Sequence, residues 1–438
     1  MTEETGPRTK VIQVDYLARV EGEGAMYIRL NGDVVEDVQL KIFEPPRFFE
    51  ALLRGRSFTE GPDITARICG ICPVAYQMSA VHAMERACGV RVGGTLRELR
   101  RLLYCGEWIA SHSLHIYLLH APDFLGYAGA VDMARDHPAL VKQGLALKKV
   151  GNAIMRAIGG REVHAINVRL GGFYRTPSRQ DMTALRTEIA AGLSLARETV
   201  RWAAKLDFPT LELDYEFVAL RHPTEYPFCE GRVVSSTDLD IDVAEWDDNF
   251  EEQQVAHSTA LHAVRKGRGP YFVGPMARYN LNRDKLFDST RALAEEVGLE
   301  AKVRNPFRSI IVRALEVVWA CEEALRIIDA YAPPPQPAIE VLPRAATAWA
   351  ATEAPRGLLV HRYTIDAAGL IRDANIVPPT SQNQKTIEDD LRAFITQHTH
   401  LADAELQWRC EQTIRNYDPC ISCATHFLDL QVERTHGH

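Results

Sequence analysis

The sequence predicts an α+β protein in which helices predominate, with a helix-dominated core and β-rich layers around it. Apolar residues recur at helical spacing over three long segments, residues 95–120, 131–158 and 177–204. A fourth segment, residues 307–331, is strongly apolar and is followed by three prolines at 333–335, which end a helix. Between residues 11 and 42, an Asn-Gly-Asp turn at 31–33 joins two runs of strand-forming residues, the pattern of a β-hairpin.

The N-terminal half of the chain is predicted to pass from strands to helices. After the strands, Pro45-Pro46 favours the start of a short helix that Gly55 ends. From residue 63 to about residue 205 the apolar spacing is helical almost throughout. The glycine pairs at 159–160 and 171–172 mark loops within this region.

The C-terminal half is predicted to be mixed. Residues 206–285 show short strands and loops without a clean period, residues 358–376 are typical of strands, and residues 387–394 of a helix. No linker is long enough to divide the chain, so we predict one composite unit over residues 1–438. Its expected segments are a β-rich start (1–60), a helical core (61–205), a mixed insert (206–300), a helix and strand region (301–426) and a C-terminal extension (427–438).

Charge and hydropathy exclude several functional classes. The net charge of −8 and the absence of any basic stripe argue against a nucleic-acid partner. No apolar run approaches the roughly 20 residues that a membrane span needs, and the acidic N-terminus is unlike a signal peptide. Nine cysteines, five of them outside any pair, are more typical of reduced thiols than of a secreted disulfide framework. We therefore expect a cytoplasmic protein without a membrane span.

Two Cys-x-x-Cys pairs are the strongest chemical signal in the chain. Cys69 and Cys72 lie near its beginning, and Cys420 and Cys423 lie close to its end. If the pairs meet in space, they supply four thiolates, which is a metal-binding set. By spacing alone, a structural zinc site is the first interpretation, because tetrahedral sulfur sites usually hold zinc or iron–sulfur clusters.

The residues around the pairs point to a different metal. The segment Arg67-Ile68-Cys69-Gly70-Ile71-Cys72 and the segment from Asp418 to His426, which reads DPCxxCxxH, together resemble the signature of nickel–iron hydrogenase large subunits. The resemblance implies the hydrogenase large-subunit fold and reversible heterolytic cleavage of dihydrogen to protons and electrons. It implies that all four cysteines bind nickel. Cys72 and Cys423 would bridge nickel to an iron that carries two cyanides and one carbon monoxide.

Other segments extend the resemblance to residues beside the metals. Glu21, in Arg19-Val20-Glu21-Gly22-Glu23-Gly24, matches the family's proton-relay glutamate, which implies that protons pass from Cys420 to Glu21. Pro355 and Arg356 match a loop over the open face of the centre, and Thr380 matches a hydroxyl that binds an iron cyanide.

A separate magnesium site is implied by three further matches. Glu50 corresponds to the family's carboxylate ligand, His426 to its histidine, and Ile376 to a residue whose backbone carbonyl binds the ion. Magnesium prefers oxygen ligands, so the histidine rests on the resemblance alone.

The expected partners follow from motifs that are missing. The chain has no GxGxxG or GxxxxGK[ST] motif for a dinucleotide and no further cysteine cluster for an iron–sulfur relay. An iron–sulfur small subunit, a flavin subunit that reduces NADP or NAD, and ferredoxin-like subunits are therefore implied. The segment 43–56 resembles the soluble bidirectional branch that uses these acceptors.

Two further expectations concern the end of the chain and the alternatives. The extension 427–438 is expected to be removed by a maturation endopeptidase after nickel insertion. A hydrogen-sensing subunit with the same metal site, or a hydrogenase that uses a deazaflavin or another acceptor, remains an alternative. Sensors of this family usually end at the final histidine, so the extension favours the enzyme.

Overall fold

A computed structural model describes residues 9–45 and 48–426 of the chain. The chain begins with a three-stranded antiparallel sheet, β1 (Thr9–Val14), β2 (Gly24–Asn31) and β3 (Val34–Ile42), in the order β1-β2-β3. The predicted hairpin is confirmed, with Gly32 at φ 58° in the turn between β2 and β3. The predicted short helix is α1 (Phe49–Leu53); Pro46, at its expected start, lies outside the described residues.

The long helices form the centre of the fold, as predicted. Helices α4, α7, α8 and α12 pack side by side, with α4 against α7 and α12, and α8 against the same two helices. The helices of this region are α2 (Gly61–Thr65), α3 (Pro73–Ala87), α4 (Gly94–Leu114), which continues as a π-helical turn (His115–His120), α5 (Ala121–Leu125), α6 (Ala130–Asp136), α7 (Pro138–Gly159) and α8 (Arg179–Ala203). Between α7 and α8 lies a two-stranded ribbon, β4 (Val168–Arg169) and β5 (Gly172–Phe173).

The middle of the chain contains small sheets and short helices. Strands β6 (Val218–Arg221), β7 (Arg232–Ser235) and β8 (Asp240–Ile241) form one sheet, and β9 (Phe250–Gln253) pairs with β10 (His262–Arg265). The helices here are α9 (Trp246–Asn249), α10 (Pro275–Asn282) and α11 (Asp288–Glu296). The prediction of only strands and loops over 206–285 was therefore incomplete, because α10 spans barely two turns and its apolar period is too short to recognise.

The last part of the chain supplies the second half of the site. Helix α12 (Ser309–Asp329) is the long apolar helix predicted before the prolines. It is followed by a three-stranded antiparallel sheet of β11 (Ala346–Ala354), β12 (Gly357–Ile365) and β13 (Ile371–Val377), which packs against α3. Helices α13 (Pro379–Gln397), α14 (Asp403–Arg415) and α15 (Ile421–Ala424) complete the described chain.

The helix predicted over residues 387–394 is wrong in extent, because α13 begins eight residues earlier, at Pro379. Its first turn carries the polar side chains of residues 380–383, all of which are buried. A buried polar turn reverses the usual pattern of helix amphipathicity, so the sequence resembled a loop there. Strand β11 was missed for a related reason, since its alanines have low strand propensity.

The buried side chains join these parts around one principal core. A single cluster of packed apolar residues extends from Ile12 in β1 to Cys423 in α15 and includes the four paired cysteines. Within residues 9–45 and 48–426, no helix combines the length and the apolar character needed to cross a lipid bilayer.

Candidate metal centre

The two cysteine pairs, which lie at opposite ends of the sequence, meet in the interior of the protein. The sulfur atoms of Cys69, Cys72, Cys420 and Cys423 all lie within 4.8 Å of one another. None of the four side chains is more than 8% exposed. The sulfurs of Cys69 and Cys420 are 3.6 Å apart, well beyond the roughly 2.05 Å of a disulfide bond, so these are free thiols.

The first pair is positioned by the start of helix α3. Pro73 occupies the first turn of this helix, and Cys72 is its N-cap residue, as the sequence predicts. The backbone N–H groups of Ile71 and Cys72 each donate to the sulfur of Cys69 over 3.3 Å. These donors and the positive end of the helix dipole favour a thiolate at Cys69.

Glu107, on α4, stabilises the same turn and was not predicted from the sequence. Its buried carboxylate accepts hydrogen bonds from the backbone N–H groups of Val74 (2.6 Å) and Ala75 (3.0 Å) and so satisfies the free donors of α3. Burial raises the pKa of Glu107 well above its usual range. A glutamate on the buried face of a helix was the only sequence signal for such a role.

The second pair is carried by a sharp turn at the end of the chain. Asp418 has a left-handed backbone with φ 54°, a conformation that aspartate tolerates better than most residues. The N–H of Cys420 donates to the hydroxyl oxygen of Thr380 over 2.9 Å, and the N–H of Ile421 donates to the carbonyl of Glu21 over 2.8 Å. The pair is thus tied both to the first turn of α13 and to the N-terminal segment.

The electrostatics of the cluster require a cation if all four sulfurs are to ionise. Hydrogen bonds from the thiols of Cys420, Cys423 and Cys72 lower the pKa of Cys69 well below its usual value. Burial raises the pKa of both Cys420 and Cys423. One thiolate therefore forms readily, whereas further negative charge in so small a buried volume needs a bound metal ion.

Glu21 lies directly beside the second pair. Its Oε2 atom accepts from the sulfur of Cys420 over 3.0 Å and from the backbone N–H of Ser422 over 3.1 Å. Gly22 makes this approach possible, because a Cβ at this position would lie 2.7 Å from the backbone nitrogen of Ser422. The structure thus brings the predicted relay carboxylate into hydrogen-bond contact with a site thiol.

Arg356 occupies the other side of the site. Its guanidinium is 2% exposed; Nε donates to the carbonyl of Asp418 over 2.6 Å, and Nη2 contacts the Asp418 carboxylate at 3.0 Å. Burial opposes its charge, but Asp418 and the nearby site thiolates outweigh this effect and raise the pKa of Arg356 well above its usual value. The Nη1 donor has no hydrogen-bond partner within the described part of the chain. A buried guanidinium with one free donor can bind a small polar ligand in the site.

A second buried arginine, Arg278 on α10, holds the turn that carries Arg356. It donates to the carbonyls of Ala354 (2.8 Å) and Pro355 (2.9 Å) and pairs with Glu316 (2.7 Å) and Glu353 (3.0 Å). Arg278 was not predicted, because nothing local in the sequence links residues so far apart. The Gly-Pro step before it was a usable signal for the start of α10.

The predicted magnesium residues also come together. Nε2 of His426 lies 2.9 Å from Oε2 of Glu50, and the backbone N–H of Ile376 donates to Oε1 of Glu50 over 2.7 Å. These three residues and Cys423 line one cavity of about 360 Å³. Glu252, which was not predicted, lies near this group, and burial raises its pKa to about 7.

The residues present fit a nickel–iron centre. Four buried sulfurs form a soft donor set suited to nickel, and Arg356 contributes an unpaired donor beside them. A plain zinc site would use the sulfurs but would leave the Glu21 contact and the free donor of Arg356 without a role.

Comparison with known proteins agrees with this chemistry. The family model for nickel-dependent hydrogenases matches residues 47–156 and 270–426. The alpha chain of sulfhydrogenase 1 of Pyrococcus furiosus is 34% identical over 423 residues, which cover 96% of this chain and 98% of the relative. One subunit of the F420-non-reducing hydrogenase vhu of Methanococcus voltae is 29% identical and covers 86% and 96%, respectively.

A solved structure is similar over nearly the same length. The crystal structure of an NAD⁺-reducing [NiFe]-hydrogenase in the H₂-reduced state aligns with a TM-score of 0.85 at 26% identity, covering 95% of this chain and 99% of that chain. The expected fold is therefore confirmed. The chain belongs to the nickel-dependent hydrogenases, as a catalytic large subunit.

Proposed function

We propose that this subunit cleaves dihydrogen reversibly in the cytoplasm and passes the electrons, through an iron–sulfur small subunit, to NADP or NAD. One observation carries the proposal: four buried sulfurs lie within 4.8 Å of one another, and a carboxylate contacts one of them at 3.0 Å. This arrangement provides a metal site together with a proton acceptor. The similarity to an NAD⁺-reducing enzyme supports the choice of acceptor.

The four cysteines would hold the metals in distinct ways. In our proposal Cys69 and Cys420 are terminal ligands of nickel, whereas Cys72 and Cys423 bridge nickel and an iron that carries two cyanides and one carbon monoxide. When bound, the centre supplies the site at which dihydrogen is split and takes up its two electrons. The protein contributes thiolates whose charge the metal stabilises.

Glu21 takes the proton that leaves the site. The 3.0 Å contact between its Oε2 atom and the sulfur of Cys420 lets a proton pass without a bridging water. Glu21 is half-buried at the edge of this chain, so a proton that it accepts can continue outward.

Thr380, Pro355 and Arg356 orient the diatomic ligands of the iron. The hydroxyl oxygen of Thr380 already accepts from the N–H of Cys420, which leaves its own proton to donate. The carbonyl of Pro355 is bound by Arg278, so Pro355 acts by fixing the turn and Arg356 by its free donor.

Substitution of Arg356 by lysine tests this role. We expect hydrogen oxidation to fall about 100-fold with nickel and iron retained, because a flexible ammonium cannot keep both Asp418 contacts and still present a planar donor. Hydrogen-dependent dye reduction and metal analysis measure the two effects. The control is Arg372→Lys, since Arg372 forms an exposed ion pair with Asp366. Parent activity in Arg356→Lys would contradict the role.

We also propose that Glu50, His426 and the backbone carbonyl of Ile376 bind magnesium. The side chains of Glu50 and His426 are about three-quarters buried and lie against β13 at the cavity beside Cys423. The bound ion would tie the last described residue of the chain to α1 and β13. The buried Glu252 places a further carboxylate near this position.

The electrons need partner subunits. Apart from the two pairs, no group of three or more cysteines comes together among residues 9–45 and 48–426. We propose that the first acceptor is an iron–sulfur small subunit, followed by ferredoxin-like subunits and by a flavin subunit that reduces NADP or NAD. The relatives named above are themselves subunits, which agrees with a heteromeric assembly.

Assay of the assembled complex decides the acceptor. We expect hydrogen-dependent reduction of NADP or NAD by the complex, and none by this chain purified without its partners. Activity with a deazaflavin alone would keep the hydrogenase and reject the proposed branch. Absence of turnover with every acceptor, in a protein that holds nickel and iron, would favour the hydrogen sensor.

We propose that a maturation endopeptidase cuts the chain after His426. This residue is held by Glu50 and by a hydrogen bond from its N–H to the carbonyl of Thr259 (3.0 Å), so it can form a fixed end. We expect intact-mass measurement of active enzyme to lack residues 427–438, which lie outside the described structure. Protein from cells grown without nickel, which should retain them, is the control. Full activity of an uncut chain would refute the proposal.

A further inference from the structure

A second group of metal-ligand side chains lies apart from the cysteines. His257 is in the loop between β9 and β10, His262 begins β10, and Glu388 is on α13. One ligand atom from each of the three lies within 4.8 Å of the other two. The group shares no residue with the cysteine site or with Glu50, Ile376 and His426.

His262 has an unused nitrogen in this group. Its side chain is 2% exposed, and its Nε2 atom has no hydrogen-bond partner in the part of the chain that the structure describes. Burial lowers the pKa of His262 to about 4, so the ring is neutral at neutral pH and keeps a lone pair. A buried polar atom without a partner is costly and indicates a missing ligand.

Glu388 supplies a negative charge that no basic side chain neutralises. Its Oε1 atom accepts from the backbone N–H of Leu40 (3.1 Å) and lies 2.8 Å from Nε2 of His257. Among the described residues it forms no ion pair with lysine or arginine. Lys385, the nearest positive group, pairs with Asp389 at 2.6 Å and so competes little for this carboxylate.

We propose that His257, His262 and Glu388 bind one divalent transition-metal ion of the zinc class. Two imidazoles and one carboxylate suit such an ion, and the partial exposure of His257 leaves a fourth position for water. With bonds of about 2.0–2.2 Å, tetrahedral ligands lie roughly 3.3 Å apart, so side-chain rotations alone can close the present spacing. The ion replaces the proton shared by His257 and Glu388.

The metal would fasten the loop that holds the end of the chain. Thr259 and Ala260, in the same loop, contact the C-terminal residues: the N–H of His426 donates to Thr259, and Ala260 pairs with Thr425. The N–H of Thr259 also donates to the carbonyl of Ile42 over 2.7 Å. A metal here therefore links β3, α13 and this loop directly behind the second cysteine pair.

Metal analysis of the intact complex tests the site independently of hydrogen turnover. After treatment with a chelator and reloading with zinc, we expect one zinc per chain in addition to nickel and iron. Zinc-edge X-ray absorption should show only nitrogen and oxygen ligands with histidine scattering. Sulfur ligands at about 2.3 Å would place zinc at the cysteines and overturn the proposal.

Three variants identify the ligands. Glu388→Gln and His262→Ala should lose the added zinc and the rise in unfolding temperature that zinc produces, while keeping nickel and iron. His257→Ala changes a partly exposed side chain and gives the same test with little risk to folding. His400→Ala is the control, because His400 is exposed and lies near His398. Zinc that persists in all three variants, or is lost only in His400→Ala, would overturn the site.

Discussion

Serine at Cys72 or at Cys423 is expected to abolish binding of both nickel and iron. A bridging thiolate carries charge to two metals at once, and a hydroxyl is a harder donor that does not ionise at neutral pH. Both sulfurs are buried in the four-sulfur cluster, so no water or neighbouring side chain can take their place. Metal analysis should show less than about one-tenth of the parent nickel, and the infrared bands of metal-bound cyanide and carbon monoxide should disappear.

Cys410→Ser is the matched control for this experiment. Cys410 is a fully buried thiol on α14 that lies outside the cluster, and burial raises its pKa, so it behaves as a small apolar side chain. The control variant should keep its metals and its infrared bands even if its stability falls. Full metal content in Cys72→Ser or Cys423→Ser would show that the substituted sulfur does not bridge.

The parts of the site that the sequence predicted are those that short motifs encode. The four cysteines, Glu21 and Arg356 stand in local patterns, and the structure brings them together. The long helices were predictable as well, because their apolar residues recur over many turns. Local pattern and apolar period therefore specify the chemical groups and the bundle that surrounds them.

The residues that support the site could not be predicted in this way. Glu107 binds the turn after the first cysteine pair, and Arg278 binds the turn before Arg356, across 33 and 77 positions of sequence respectively. Contacts at such separations depend on how α4 and α10 pack, which no single segment records. The buried polar start of α13 was misread because tertiary contacts, rather than helix amphipathicity, select its residues.

This buried polar support has a physical purpose. The guanidinium of Arg278 is fully buried between Glu316 and Glu353, so removal of any one partner would leave an uncompensated charge in the core. Arg278 lowers the pKa of Glu316 to about 2, against the effect of burial, and so keeps this carboxylate charged at neutral pH. The cost of disturbing the network fixes the turn that presents Arg356 to the metals.

Glutamine at Glu21 is expected to reduce hydrogen oxidation about 100-fold or more while nickel and iron stay bound. The amide has nearly the same shape as the carboxylate and can accept from the N–H of Ser422, but it cannot take a proton from the sulfur of Cys420. Hydrogen-dependent dye reduction measures turnover, and metal analysis with infrared spectroscopy measures the centre. The infrared bands should keep their positions to within a few wavenumbers, since no metal ligand changes.

Two further variants separate proton relay from structural support. Glu23→Gln changes an exposed carboxylate two residues away and should leave turnover unchanged. Glu21→Asp keeps the acid but shortens its reach, so it should recover part of the activity that glutamine loses. A relay also predicts that exchange between hydrogen and deuterated water falls with turnover in Glu21→Gln. Parent rates of turnover and exchange in this variant would mean that the proton leaves Cys420 by another route.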